Sequence, residues 1–231
     1  MKVLALLLVG CFAAGSILAG ADMMIPDATF NFGKISQHRT LTHHFWIKST
    51  GDDTLRILEI DPGCGCTEIP LKDSVLAPGD STAMGVVFKT GRFRSHVIKK
   101  PTVLSNASPD KTVLQILSEV VLDPEADPTL VVRPDRVDVS QFGEKSRRRA
   151  RFHLENRSDH DLNLQVADSS FKSFELEIPG KIKAGETVEG LVTVRKELVN
   201  TEFEESITLE VTGVDRNIYS IMVQRRLRPG R

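Results

Sequence analysis

The residues best suited to chemistry lie in one short stretch, Ile60-Asp61-Pro62-Gly63-Cys64-Gly65-Cys66-Thr67. Pro and Gly crowd the two cysteines, so the backbone is expected to turn there. The single residue between Cys64 and Cys66 restricts what they can do. On an extended strand their side chains share a face but stand too far apart for a disulfide, which needs Cα atoms within about 6.8 Å. A tight turn over Gly63 and Gly65 brings them together, because glycine reaches positive φ without steric cost. Three readings stay open. The pair is structural, as buried thiols or a local disulfide, since free cysteine is among the most buried residue types. Or it is a metal site, with two thiolates converging on a soft ion such as Cu(I) or forming half of a zinc site. Or it is a redox pair, because so small a ring is strained and easily reduced. There is no second cysteine pair, so a complete zinc site would need histidines.

His38, His43, His44 and His96 are the histidines nearest in sequence. By strand alternation His43 shares the inward face with Phe45, while His44 points outward with Trp46. A strand histidine is more often packed or solvated than a ligand, and these are read that way. Met23 and Met24 could add thioether donors for copper, but they open the mature chain and are expected to be disordered. Arg147, Arg149 and Arg151 share one strand face, and Arg225, Arg226, Arg228 and Arg231 end the chain. They read as a solvated face and a tail, the charged strand protecting a sheet edge from wrong pairing. The alternative is an anionic partner such as a cell-wall polymer or lipid headgroups. No G-x-S-x-G elbow, phosphate loop or H-E-x-x-H is present, so no catalytic residues are assigned. The formal net charge of -1 provides no field for nucleic acid. With one Trp and one Tyr, no stacking platform for bases exists either.

The elements that must position these residues are strands. Leu41, His43, Phe45 and Ile47 alternate with Thr42, His44, Trp46 and Lys48. Ser49 to Asp53 breaks the run as a turn and Leu55 to Ile60 resumes it. Further runs follow at Met84–Phe88, Pro101–Leu104, Val113–Val121, Arg149–Leu154, Leu162–Val166, Phe174–Ile178, Val188–Val194, Glu205–Val211 and Ile218–Gln224. Turns separate them at the cadence of an antiparallel sandwich, and no long amphipathic helix is predicted.

The chain also resembles itself at an offset of about 107 residues. Pro26-Asp27 through Phe32-Gly33 matches Pro134-Asp135 through Phe142-Gly143. Phe45 to Asp52 lies opposite Phe152 to Asp159, and Leu76 to Ser81 opposite Ile182 to Thr187. The expectation is an all-β chain of two tandem immunoglobulin-like sandwiches, residues 25–123 and 130–227. A Pro-bracketed acidic linker, 124–129, joins them, and 228–231 form a tail. Residues 1–21 read as a signal peptide, with Ala19-Gly20-Ala21 as its cleavage site. Leu8-Val9-Gly10-Cys11 also has the form of a lipobox, which would tether the chain to a membrane through Cys11. Either way the chain is expected outside the cytoplasm, periplasmic or secreted, where disulfides persist.

Several spaced motifs agree with one family: Phe30-x-Phe32-Gly33, Phe45 to Gly51, Leu55-x-Ile57, Gly63 to Thr67 as GCGCT, Ala77-Pro78-Gly79, Val86-x-Phe88 and Leu104-Ser105-Asn106. Residues 26–122 resemble the bacterial domain of unknown function 1573 family, related to the immunoglobulin-like domains of hydin and other ciliary and centrosomal proteins. The second copy follows only the general pattern and has Asp168-Ser169-Ser170-Phe171 where the cysteine turn would fall. The resemblance implies an immunoglobulin-like envelope protein and supplies no catalytic residues. The expected function is therefore a non-enzymatic interaction or scaffolding module whose partner is a protein or other envelope component. The alternative is a periplasmic copper-binding or thiol-redox protein using Cys64 and Cys66. A pilus-chaperone-like exchange of strands at an open edge is a third possibility.

Overall fold

The computed structural model describes residues 20–143, 147–168 and 170–228. Most of the expected leader, with Cys11, lies outside them, as does Arg231. Strands dominate the described residues. The first half contains β1 (Met23–Met24), β2 (Thr29–Ser36), β3 (Thr40–Ser49), β4 (Leu55–Asp61), β5 (Thr67–Glu68), β6 (Val75–Leu76), β7 (Ser81–Lys89), β8 (Ser95–Lys99), β9 (Thr102–Ser105), β10 (Lys111–Val113) and β11 (Gln115–Val121). The second contains β12 (Leu130–Arg133), β13 (Arg136–Asp138), β14 (Gln141–Phe142), β15 (Arg149–Asn156), β16 (Leu162–Asp168), β17 (Phe174–Glu177), β18 (Lys181–Ile182), β19 (Thr187–Val194), β20 (Phe203–Thr212), β21 (Asn217–Arg225) and β22 (Leu227–Arg228).

Alternation explains the strands. On β3, Leu41, Phe45 and Ile47 are buried while Trp46 and Lys48 face solvent. On β15, Ala150, Phe152 and Leu154 are buried between exposed Arg149, Arg151 and His153. Each such buried Leu, Ile or Phe side chain contributes about 1.5–3 kcal/mol against its exposed state. The buried apolar residues separate into two clusters, one from Phe32 to Val120 and one from Leu130 to Val223.

The halves repeat one strand plan. Sheet β1-β3-β7-β5 in the first has the same order as β12-β15-β19-β17 in the second. The opposing sheet of the second half runs β18-β16-β20-β21-β13, with β13 parallel to β21. In the first half β6-β4 continues into two interrupted strands, β8/β9 and β10/β11, with β2 parallel to β11. The interruption has a chemical cause. Pro101 has no N–H to continue a ladder, so the strand that is continuous as β20 breaks there into β8 and β9.

Strand β2 joins the two halves. It pairs in parallel with β11 and also with β21, so Lys34 faces Glu119 on one side and Tyr219 on the other. One sheet therefore runs through both halves. Gly33 permits the approach. It sits at an irregularity in the β2–β11 register, with φ at 64°. A Cβ on Gly33 would lie 2.0 Å from the Ile218 carbonyl oxygen.

Polar contacts line the seam. Arg39 grips Asp135 with two bonds of 2.9 and 2.8 Å. The Thr42 amide donates to Ser206 Oγ at 2.8 Å, and the Ser206 amide to Thr42 Oγ1 at 3.0 Å. The segment between the halves is no loose tether. Pro124–Ala126 forms a single 3-10 turn, and Asp127 beyond it accepts from Lys34 Nζ at 2.6 Å and from the Tyr219 hydroxyl at 3.0 Å.

Candidate functional site

The cysteine turn joins β4 of one sheet to β5 of the other, so it crosses the end of the first sandwich. Asp61 Oδ1 accepts from the Gly63 amide at 2.8 Å, and Gly63 turns the chain at a φ of 73°. The Thr67 amide donates to the Cys64 carbonyl at 3.3 Å. The Lys89 amide on β7 donates to the Cys66 carbonyl at 2.9 Å. The turn brings the Cα atoms of Cys64 and Cys66 to 5.3 Å, and the two sulfurs form a disulfide. Both cysteines are partly exposed, and Cys66 packs on the first apolar cluster. Thr67, 3% exposed, has its hydroxyl 3.4 Å from Cys64 Sγ and 3.8 Å from Cys66 Sγ. As a disulfide the pair offers no thiolate to a cation, so the metal reading of Cys64 and Cys66 applies only to the reduced chain. No group of three or more His, Cys, Asp or Glu suited to a metal occurs among the described residues.

A second feature lies between the halves. His43 is stacked on Phe30, with ring centroids 3.7 Å apart, and meets Phe45 edge-on. Its Nδ1 pairs with Asp168 Oδ2 of the second half at 2.5 Å, and the two side chains are only 13% and 9% exposed. Burial acts to raise the Asp168 carboxyl, but hydrogen bonds from His43 and Ser170 outweigh it and hold the group below the ordinary aspartate range. His44 is pushed below its ordinary value by burial and then by the Lys172 ammonium. Around this pair opens a cleft of about 920 Å³, bordered by Phe30, Trp46, Lys48, Ala83, Ser170 and Lys172. Trp46 is 54% exposed along it. The lining carries the carboxylates of Asp27 and Asp168 as well as the ammonium groups of Lys48 and Lys172, so the cleft offers an exposed aromatic face beside charge of both signs.

Other expectations meet mixed outcomes. His38 is exposed in the β2–β3 turn and His96 is exposed on β8. Met23 and Met24 are ordered, contrary to expectation, because β1 pairs with β3 through Met23–Ser49 and Met24–Lys48. Arg147, Arg149 and Arg151 form a solvated face as read, with Arg151 3.3 Å from Glu189. Arg225 corrects the reading of a basic tail. It is 0% exposed and donates to the carbonyls of Val199, Val139 and Arg147 and to Gln141 Oε1. Arg226 pairs with Glu204.

Sequence reasoning missed Asp168 as a partner of His43. A signal existed: the offset that aligns the two halves places Asp168 on Asp61, the residue that caps the cysteine turn.

No curated protein matches the chain. Among solved structures, VesB protease of Vibrio cholerae is 11% identical at a TM-score of 0.37, over 43% of this chain and 32% of that one. The chain thus spans about a third of that protease's length. A protein of unknown function from Porphyromonas gingivalis W83 is 12% identical at a TM-score of 0.37, over 89% and 99% of the two chains. The ASH / PapD-like domain 7 of human CEP192 is 9% identical at 0.37, over 53% of this chain and 98% of that one. No residue role is carried over from any of these. The family match is specific to one region and contains both the cysteine turn and His43. Residues 23–120 of this chain match the model of the family described as Protein of unknown function (DUF1573).

Proposed function

We propose that this chain is an exported, non-enzymatic interaction module of the cell envelope, in which two immunoglobulin-like domains are held as one body and a protein partner binds in the cleft between them. The cleft carries the reading. Its lining contains the His43–Asp168 pair and the exposed Trp46, with Lys48 and Lys172 of one charge sign and Asp27 and Asp168 of the other. Binding surfaces on a rigid sandwich work in this way, because the scaffold meets the ordering cost before the partner arrives. The fused sheet through β2 and the bonds of the seam keep the cleft's two walls in register.

The test places a photo-crosslinking amino acid at position 46 of the full-length chain expressed in its own cell. The expected result is a discrete protein adduct from the envelope that Lys172→Glu abolishes. Adducts formed only with lipid or cell-wall polymer, or none at all, would overturn the reading.

A further inference from the structure

The disulfide adds little to the stability of the turn that holds it. Chain-entropy stabilisation grows with the loop a disulfide closes, and this one closes over a single residue. The turn is held by other bonds: Gly63 amide to Asp61, Thr67 amide to the Cys64 carbonyl, Lys89 amide to the Cys66 carbonyl. None of these bonds involves a sulfur, so none is broken when the disulfide opens. The approach is open. Gly63 and Gly65 are exposed beside the cysteines, and a Cβ on Gly65 would meet no atom within 4 Å. The two sulfurs also differ. Both are partly exposed, but Cys66 packs on the apolar cluster and Cys64 is not among the residues packed there. The Thr67 hydroxyl reaches both, and a disulfide sulfur carries no hydrogen, so the hydroxyl donates.

We propose that Cys64–Cys66 is a thiol–disulfide exchange site that oxidises a dithiol on a partner protein. A thiolate of the partner attacks Cys64 Sγ. The Sγ–Sγ bond breaks and its electron pair leaves on Cys66 Sγ, where the Thr67 hydroxyl can turn its hydrogen toward the new thiolate. The partner's second thiolate then attacks its own sulfur in the mixed disulfide and expels Cys64 as thiolate. Two electrons pass from the partner to the pair, the partner keeps the new disulfide, and its two protons end on Cys64 and Cys66. Each chain oxidises one dithiol. The inference does not depend on the cleft, which lies elsewhere on the molecule.

The probe is a reduced synthetic peptide with two cysteines, mixed with the oxidised full chain and followed by acid quench and thiol alkylation. The expected result is one peptide disulfide per chain with the far-UV circular dichroism unchanged. A peptide that stays reduced, or a chain that unfolds as its disulfide opens, overturns the proposal. Thr67→Val is expected to slow exchange about tenfold, roughly the effect of one hydrogen bond to a charged group, and Thr67→Ser to restore it. An unchanged rate in Thr67→Val overturns the role given to the hydroxyl. Offered the oxidised peptide, Cys66→Ser should hold a mixed disulfide through Cys64. A stable adduct formed by Cys64→Ser and not by Cys66→Ser reverses the order of attack and overturns the assignment of Cys64.

Discussion

Asp61 and Asp168 occupy the same place in the two halves, and each caps its turn by accepting from the amide two residues on, Gly63 at 2.8 Å and Ser170 at 2.8 Å. The turns then diverge. The first positions a disulfide at the end of its sandwich. The second frees one carboxylate oxygen to meet His43 across the seam.

The His43–Asp168 pair makes the seam sensitive to acid. The folded Asp168 carboxyl titrates below its unfolded value, so its contribution is complete above pH ~3.9 and is lost as pH falls from there through the lower folded value. Asp127, also held low once Lys34 and the amides of Thr129 and Leu130 outweigh its burial, should lose its contribution in the same direction. Urea midpoints measured from pH 7 to pH 2 should decline below about pH 4, and more shallowly in Asp168→Asn. Asp168→Ala itself should cost about 3 kcal/mol, because it leaves the largely buried His43 side chain without its partner.

Gly33→Ala should damage the seam more than either core. The new methyl would lie against the Ile218 carbonyl, and the residue would keep a φ of 64°. The backbone conformation alone costs about 1–2 kcal/mol, and the clash adds to it. Calorimetry should show the transition of the native chain dividing into two.

Arg225→Met should be strongly destabilising, by roughly 3 kcal/mol. It leaves the Val199, Val139 and Arg147 carbonyls without a donor. Arg225→Lys should recover little, since an ammonium cannot supply the forked donors of a guanidinium. Guanidinium chloride titrations of the two variants would check both statements.

Trp46→Ala should leave the denaturation midpoint within about 0.5 kcal/mol of the native chain, because the ring is already exposed. Any loss of partner binding in that variant is then a property of the cleft. Tryptophan emission from the native chain reports that site alone, since Trp46 is the chain's one tryptophan.

The sandwich was legible because burial follows period two. Leu41, Phe45 and Ile47 are buried and Trp46 and Lys48 exposed, and that alternation is written in the residue types. Pro62, Gly63 and Gly65 likewise marked the cysteine turn, though not which of its three chemistries applies. The pairing across the seam left no such trace. Parallel contact between β2 and β21 depends on backbone groups that every residue carries. Arg225 was hidden for a related reason. Its partners are three backbone carbonyls and the Gln141 side-chain oxygen, so no acidic residue nearby in sequence announces a buried guanidinium. Met23 and Met24 looked like a loose terminus because only their partner strand, β3, gives them an ordered place.

Because β2 belongs to two neighbours at once, covalent continuity between the halves is not what keeps them together. A chain cleaved once between Asp123 and Asp127 should behave as a complemented pair of fragments, eluting together on a sizing column and parting only in denaturant.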